Sequence, residues 1–396
     1  MAPDERLQRH IEATSSRRNA VPLVFAVHET TAANWTHGRV TEGVGPLGNS
    51  ACHGLRVPTP CALTPERVPL GLLAQQGWAR DPDAMGQRAR RQPLPSSQKA
   101  SQPWLHRLDA VDPARDCGPP TRLVSVGDRE AEVSDVLAAP RPPGVDRLMR
   151  ASWHRWVNAP QRSGWDTVVA QPVAVQSLLH VPRRGPQPAR EATLALRSGP
   201  WTLCPPPPRQ AEGVPAITLW AVQVGAVEPP VEVEPLAWLW CTPGAVETVD
   251  DALERVQWSA GRWGREVWHR LVQSGCRLAA RQCPKAERFR RALARYSVLA
   301  WRIFYATMVA RTVPDAPCRV RLEPDAWQAL SCAIHRVPTP PAEPPPRGQA
   351  VTWIAQLGGC GGRRRSDRPG PEVMWRGFQH LGDLTTMYGI MRRDSP

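Results

Sequence analysis

The chain has 396 residues, which at roughly 150 residues per domain predicts two or three structural units rather than a peptide scaffold. Lys+Arg number 50 against 36 Asp+Glu, a formal charge of +14 carried almost wholly by arginine because Lys99 and Lys285 are the sole lysines, and this surplus favours a polyanionic partner such as nucleic acid over an acidic small molecule. Pro (45) and Gly (29) together stay below the roughly 25–30% at which disorder becomes the default, so the chain is expected to fold with proline-broken loops.

Residues 1–20 carry charges of both signs and no apolar run, and Val21 to Val27 is too short for a signal-peptide core. That run reads instead as a buried strand with a polar exit at His28-Glu29-Thr30-Thr31. Val57 to Leu63 and Val68 to Leu73, separated by Thr64-Pro65-Glu66-Arg67, predict a hairpin. Gln75 to Gln98 is polar and basic, an exposed loop. Arg122 to Val126 predicts another short strand, broken at Gly127-Asp128 before a helix over Glu130 to Leu137. From Met149 to Thr242, alternating runs such as Ile217 to Val224 and Leu236 to Trp240 predict a β-rich subdomain, with Pro205 to Pro208 as a surface loop.

From Val249 the period changes. Val249, Leu253, Val256, Ala260, Trp263, Val267 and Leu271 follow helical spacing and predict one long helix with that apolar face. Lys285 to Ala310 predicts a second, with Phe289, Leu293, Tyr296 and Ala300 turned inward. Arg302 interrupts its apolar stretch, which is shorter than the roughly 20 residues a bilayer span needs, so no membrane partner is expected. Shorter helices over Asp325 to His335 and Ala350 to Leu357, a basic loop from Arg363 to Arg368 and a final helix from Val373 to about Met391 complete the chain. The ten cysteines contain no C-x-x-C and predict reduced structural thiols rather than a zinc module.

On the long helix Ser259, Arg262, Glu266, Arg270 and Gln273 are three or four residues apart and form one polar stripe, with a carboxylate between two guanidiniums. Taken alone, such a stripe reads as a solvated face with ordinary i,i+4 pairing. Two further acids, Glu29 and Asp128, stand at strand ends, where ligands bind in open α/β sheets. Three converging carboxylates would suit Mg²⁺ or Mn²⁺, and paired metals activate water for phosphodiester attack.

The segment Ser259-x-x-Arg262-x-x-x-Glu266-x-x-x-x-x-x-Gln273 resembles the Tyr-x2-Arg-x3-Glu-x6-Lys signature of DDE cut-and-paste transposases of the insertion-sequence-four family. Gly261 to Arg270 and Gln273-Ser274-Gly275 resemble that family's R-W-x-I-E-x-x-H-K and K-S-G runs. Asp128-Arg129-Glu130-Ala131-Glu132 is similar to its D-R-E-A-D motif, Ala26 to Thr31 to its A-x-Q-D-T-T, and Glu234 to Trp238 to its E-P-L-x-W. The resemblance runs from about Val21 to Arg311.

What it implies is an α/β fold: a ribonuclease-H-like catalytic core begun by residues 1–148, a β-rich insertion over 149–245, core helices over 246–312 carrying the third acid, and a helical C-terminal region over 313–396 suited to dimerisation. By the same resemblance Glu29, Asp128 and Glu266 would hold two Mg²⁺ (or Mn²⁺) and cut DNA. Arg262, Arg270, Arg150 and Gln273 would contact DNA, and Trp238 would stack on a flipped base. The implied partners are double-stranded DNA, as transposon ends and target, and a second chain in a homodimer or a heterodimer with a full-length transposase. The implied setting is the bacterial cytoplasm and nucleoid.

The chain departs from the pattern at Glu29, where the family has aspartate, and at Ser259 and Gln273, where it has tyrosine and lysine. Gly261 and Gly264 fall inside the helix that presents Glu266. Twenty-eight residues precede Glu29, where relatives place a helical end-recognition domain. These departures predict a truncated copy with impaired cleavage, with a dimerising inhibitor or a translated remnant as the competing expectations.

Overall fold

The computed structural model describes residues 3–28, 30–34, 42–47, 52–79, 108, 111, 121–128, 134–151, 156–157, 159–183, 185, 187–204, 213, 215–277, 283, 285–320, 322–361 and 369–393. Helix α1 (Pro3–Asn19) opens the chain. Its buried positions are Leu7, His10, Thr14 and Arg18, spaced three and four apart as on one helix face. Three of those four are polar, so a search for apolar periodicity passes over this helix. Strand β1 (Leu23–Val27) follows, as expected from its apolar run. β2 (Thr30–Asn34), β3 (Gly45–Pro46) and β4 (His53–Pro58) form a small antiparallel sheet in the order β2-β4-β3. β5 (Cys61–Leu63) and β6 (Pro69–Leu72) make the hairpin around residues 64–67. The run from Val57 to Leu63, predicted as one strand, is divided between β4 and β5, because Pro58 and Pro60 on either side of Thr59 have no N–H for a continuous ladder.

β7 (Arg122–Gly127) lies where the apolar pattern put it, and α2 (Ser134–Ala138) covers only the end of the helix predicted from Glu130, since residues 129–133 lie outside the described ones. The β-rich reading of residues 149–242 holds. The chain there forms β8 (Val145–Arg150), β9 (Trp156–Val157), β10 (Ala159–Ser163), α3 (Gly164–Val169), β11 (Val175–Val181), β12 (Arg190–Leu203), β13 (Ile217–Ala226) and β14 (Ala237–Thr242). Helices then take over: α4 (Val249–Gly261), α5 (Trp263–Arg270), a π turn at Leu271–Gly275, α6 (Ala286–Thr312), α7 (Pro324–His335), α8 (Arg347–Leu357) and α9 (Pro371–Arg393). Pro205 to Pro208, most of the predicted loop from Gln75 to Gln98, and the basic loop from Arg363 to Arg368 lie outside the described residues. Among the described residues no helix is long and apolar enough to cross a membrane, and none of the nine described cysteines forms a disulfide.

The predicted long helix departs from its expected form in two ways. It is divided at Arg262, whose N–H donates to the Ser259 carbonyl at 3.1 Å, and it loosens into the π turn, where the Cys276 N–H reaches back five residues to the Leu271 carbonyl at 2.9 Å. Its buried face is also a different one. Ala252, Arg255, Trp258 and Gly261 are buried, while Val249 and Leu253 are exposed. The reason is chemical: Arg255 pairs with Glu254, donates to the Ala245 carbonyl at 3.1 Å and stacks on Trp258 with 4.1 Å to the ring centroid, so a charged residue occupies the inner stripe. A search for apolar residues puts that stripe elsewhere.

The chain forms two compact units, each built from separated segments: a sheet unit of residues 18–29 and 84–262, and a helical unit of residues 1–17, 30–83 and 263–396. In the sheet unit the strand order is β10-β9-β12-β13-β14-β8-β7-β1, with β11 also pairing β12. β1, β7 and β8 are parallel and the remaining pairs antiparallel, so this is a large mixed sheet. Its core gathers Met149, Trp201, Leu203, Leu219, Leu239 and Cys241 with Val136 and Leu137 of α2 and Val168 of α3. In the helical unit α1 lies against the β5–β6 hairpin. His10 Nε2 accepts the Leu72 N–H at 3.1 Å, Arg17 Nε donates to the Leu70 carbonyl at 2.5 Å, and Trp301 Nε1 of α6 donates to the Pro69 carbonyl at 2.8 Å. α8 and α9 approach so closely that a Cβ on Gly377 would fall 2.0 Å from the Ile354 carbonyl oxygen, which leaves glycine as the residue that fits.

Candidate functional site

Asp128 follows β7, whose residues from Leu123 to Gly127 are buried, and is itself half-buried at the C-terminal end of that strand. β7 is flanked by β1 and β8, both parallel to it, in the registers Val27↔Val126 and Gly127↔Met149. The adjoining end of β1 is tied in by His28, whose N–H donates to the Val126 carbonyl at 2.8 Å while its buried imidazole lies 3.4 Å from Ser125 Oγ. Asp128 therefore stands at the carboxyl ends of neighbouring parallel strands, the position its place in the sequence predicted. Glu29, the residue after His28, lies outside the described residues.

Glu266 is carried by α5 in the helical unit and is half-buried. Trp268 and Leu271 anchor this helix in the core, with Trp268 Nε1 donating to the Ser297 carbonyl of α6 at 3.3 Å. One turn after Glu266, the His269 imidazole meets the Thr31 hydroxyl of β2 within 2.8 Å. That contact joins β2 to α5, and neither residue stood out in the sequence as a functional position. The local signal was present all the same, since Thr31 and His269 both belong to the motif runs that carry the resemblance. Arg270 ends α5 in an exposed position, and Gln273 is exposed within the π turn, beside a small cavity that Thr31, Val57 and Trp268 also line. In the sheet unit Ser259 and Arg262 are half-buried at the end of α4.

The glycines of the signature helix are not equivalent. A Cβ on Gly261 would come within 2.7 Å of the Phe25 ring on β1, whereas one on Gly264 would meet Leu63 and Phe304 at 3.4 and 3.5 Å, ordinary van der Waals distances. Gly261 is thus required by the packing of α4 on the sheet, and its helix-weakening effect is the cost of that approach.

Trp238 lies on β14 opposite Val224, and Trp240 pairs with Arg150 on β8. Alternation along a strand puts Trp238, Trp240 and Arg150 on one face of the sheet, opposite the face that Leu239 and Cys241 turn to the core. Trp238 is half-buried there, outside the main core. Among the described residues no group of three or more His, Cys, Asp or Glu is gathered to hold a metal ion, and Glu29 is not one of those residues.

The C-terminal helices present a different surface. Met374, Trp375 and Leu381 of α9 are buried, yet further along the same helix Met387, Ile390 and Met391 are 57%, 50% and 66% exposed. Spacing of three and four residues sets them side by side, while Arg392 on the adjoining stripe reaches Asp325 of α7 at 3.0 Å. The helix is therefore held to its own unit on one side and leaves an apolar end open on the other. Residues 298–390, from the middle of α6 to nearly the end of α9, match the family model described as the transposase Tn5 dimerisation domain, so this part of the chain is transposase-related.

Proposed function

We propose that the protein is a DNA transposase that works as a dimer, joined through α6 to α9 to a second copy or to a related transposase chain. The match of residues 298–390 to a transposase dimerisation domain carries this reading, and the exposed Met387, Ile390 and Met391 supply an apolar surface of the kind such a contact buries. Light scattering coupled to size exclusion tests it. The chain should elute as a dimer, and a Met387→Glu/Ile390→Glu pair should raise the dissociation constant about 100-fold or more, as expected when two buried side chains of this size are replaced by charges. A monomeric wild-type chain at micromolar concentration overturns the dimer.

We further propose a ribonuclease-H-like catalytic centre of the DDE type, as the resemblance to the insertion-sequence-four family implies. Its ligands would be Glu29, Asp128 and Glu266, hard oxygen donors whose chemistry suits Mg²⁺ or Mn²⁺. When bound, the ions would supply an activated water and then an activated 3′-hydroxyl. The chain's own part is to hold phosphate with Arg262, Arg270 and Arg150, with Gln273 beside them, and to receive an unstacked base on Trp238. The substitutions at Glu29, Ser259 and Gln273 weaken cleavage in this reading, which leaves a dimerising inhibitor of an active transposase as the second reading, favoured by the same C-terminal match. Nicking of duplex DNA with Mn²⁺ separates the two. Weak nicking that rises in a Glu29→Asp/Ser259→Tyr/Gln273→Lys variant and vanishes in Asp128→Ala supports an impaired enzyme. Nicking unaffected by Asp128→Ala overturns the acid assignment.

A further inference from the structure

The helical unit contains a second concave surface that the acid site does not use. α1 and α6 border a cavity of about 940 Å³. On α1 it is lined by Arg6, Arg9 and Arg17, and on α6 by Arg295 and Arg302. Glu323 is the one carboxylate among its lining residues. Arg6, Arg9, Arg295 and Arg302 are exposed, and among the described residues none of the four forms an ion pair or hydrogen bond. Arg17 is already engaged with the Leu70 carbonyl and the Trp301 ring. The floor is apolar, with Leu299, Ile303, Leu322 and Phe378 beside Tyr305.

Four guanidiniums that form no ion pair among the described residues, with one carboxylate, Glu323, in the lining, repel one another, so the arrangement is stabilised by an anion that spans them. From Arg295 to Arg302 the cationic face of α6 extends about 10 Å at 1.5 Å per residue, too long for one isolated phosphate and suited to a row of them. The guanidinium fork matches phosphate oxygens in pairs. A duplex could supply the row of phosphates but keeps its bases stacked away from an apolar floor, whereas a single strand offers both charges and unstacked rings. We infer that this cavity binds single-stranded nucleic acid, its phosphates on Arg6, Arg9, Arg295 and Arg302 and a base against the floor at Phe378. The choice of nucleic acid over other polyanions rests on the DNA-handling function proposed above, but the site requires neither the metal ions nor the acids.

Fluorescence anisotropy of the full chain with labelled oligo-dT, a duplex of equal length, and polyglutamate as competitor tests it. Arg6→Glu/Arg9→Glu and Arg295→Glu/Arg302→Glu should each weaken oligo-dT binding about 10-fold or more and lower the slope of log affinity against log salt by about 1.4, two contacts at roughly 0.7 each. The Arg6→Lys/Arg9→Lys pair should restore most of that slope. Phe378→Leu should weaken the strand about fivefold without changing the slope. Circular dichroism guards against misfolding, since the four arginines are exposed. Oligo-dT binding by the wild type that both charge reversals leave intact overturns this site and leaves the acid site standing. Equal losses for strand and duplex overturn the single-strand assignment, and polyglutamate displacing the strand more strongly than unlabelled oligo-dT points to an acidic peptide instead. A wild-type chain that binds no nucleic acid overturns this inference together with the DNA-handling function.

Discussion

The two units use arginine in opposite ways. In the sheet unit Arg147, Arg122 and Arg255 are held by carbonyls, carboxylates or an aromatic ring. Arg147, 1% exposed, donates to the carbonyls of Val136, Ala139 and Pro140 at 2.7–3.0 Å, and Arg122 bridges Asp146 and Glu254 at 2.8 Å each. Arg255 pairs with Glu254 over the Trp258 ring. In the helical unit Arg6, Arg9, Arg295 and Arg302 stand around a cavity without such partners. The net charge of +14 is therefore not one property of the surface. Part of it organises the interior of one unit, and part of it is left available in the other.

The sharpest test of the first half is Arg147→Met. Similar in length but without donors, methionine would leave the three carbonyls that close the α2–β8 segment unmatched, and removing one partner of a buried charged network costs about 3 kcal/mol or more. Urea unfolding should show this as a lower midpoint with an unchanged slope. A loss below about 1 kcal/mol would mean that the inward arginine is incidental to the fold.

Elements that bury their apolar residues were legible in the sequence: β1, β7, β13, β14 and α6 lie close to where apolar pattern put them. Elements that bury polar side chains were not. α1 hides His10, Thr14 and Arg18, and α4 hides Arg255, so apolar periodicity missed the first and chose the wrong face of the second. Asp128 at a strand end and Glu266 on a helix were legible as positions, whereas one continuous stripe from Ser259 to Gln273 was not, because the helix is divided at Arg262 and opens into the π turn. The Thr31–His269 contact and the cavity between α1 and α6 arise from pairings of distant segments, which no spacing along the chain encodes.

A pH titration probes the helical unit next. Burial, reinforced by the nearby positive charges of Arg17 and Arg302, lowers the His10 pKa from 6.5 to about 4, so the folded unit holds a neutral imidazole that accepts the Leu72 N–H. Because the unfolded chain takes up that proton first, the stability contributed is fully present above about pH 6.5 and is lost as pH falls from there towards 4. Between pH 7 and pH 5 the loss should be about 2 kcal/mol. His10→Gln, which keeps an acceptor and removes the titration, should flatten that part of the stability curve. An unchanged curve would locate the acid sensitivity elsewhere.

The signature helix offers a paired test at its two glycines. Gly261→Ala drives a methyl into the Phe25 ring and should cost about 1–2 kcal/mol, the overpacking penalty outweighing the gain in helix propensity. Gly264→Ala meets only ordinary contacts and should gain up to about 1 kcal/mol from propensity. Thermal melts of the two variants should move in opposite directions. The same sign for both would overturn the packing role assigned to Gly261.

The smallest effect should come from the arginines around the cavity. Arg302→Gln removes an exposed guanidinium that has no partner among the described residues, so stability at neutral pH should change by less than about 0.5 kcal/mol. Its influence should instead be felt at a distance, because Arg302 is one of the charges that depress His10. Without it the imidazole protonates at a higher pH in the folded state, and the stability lost on acidification shrinks. Arg147→Met and Arg302→Gln thus change the same residue type with outcomes set by its surroundings, a large loss of fold in one unit and a small shift in proton linkage in the other. Comparable losses from the two would erase the distinction between arginines that build the protein and arginines held ready for a ligand.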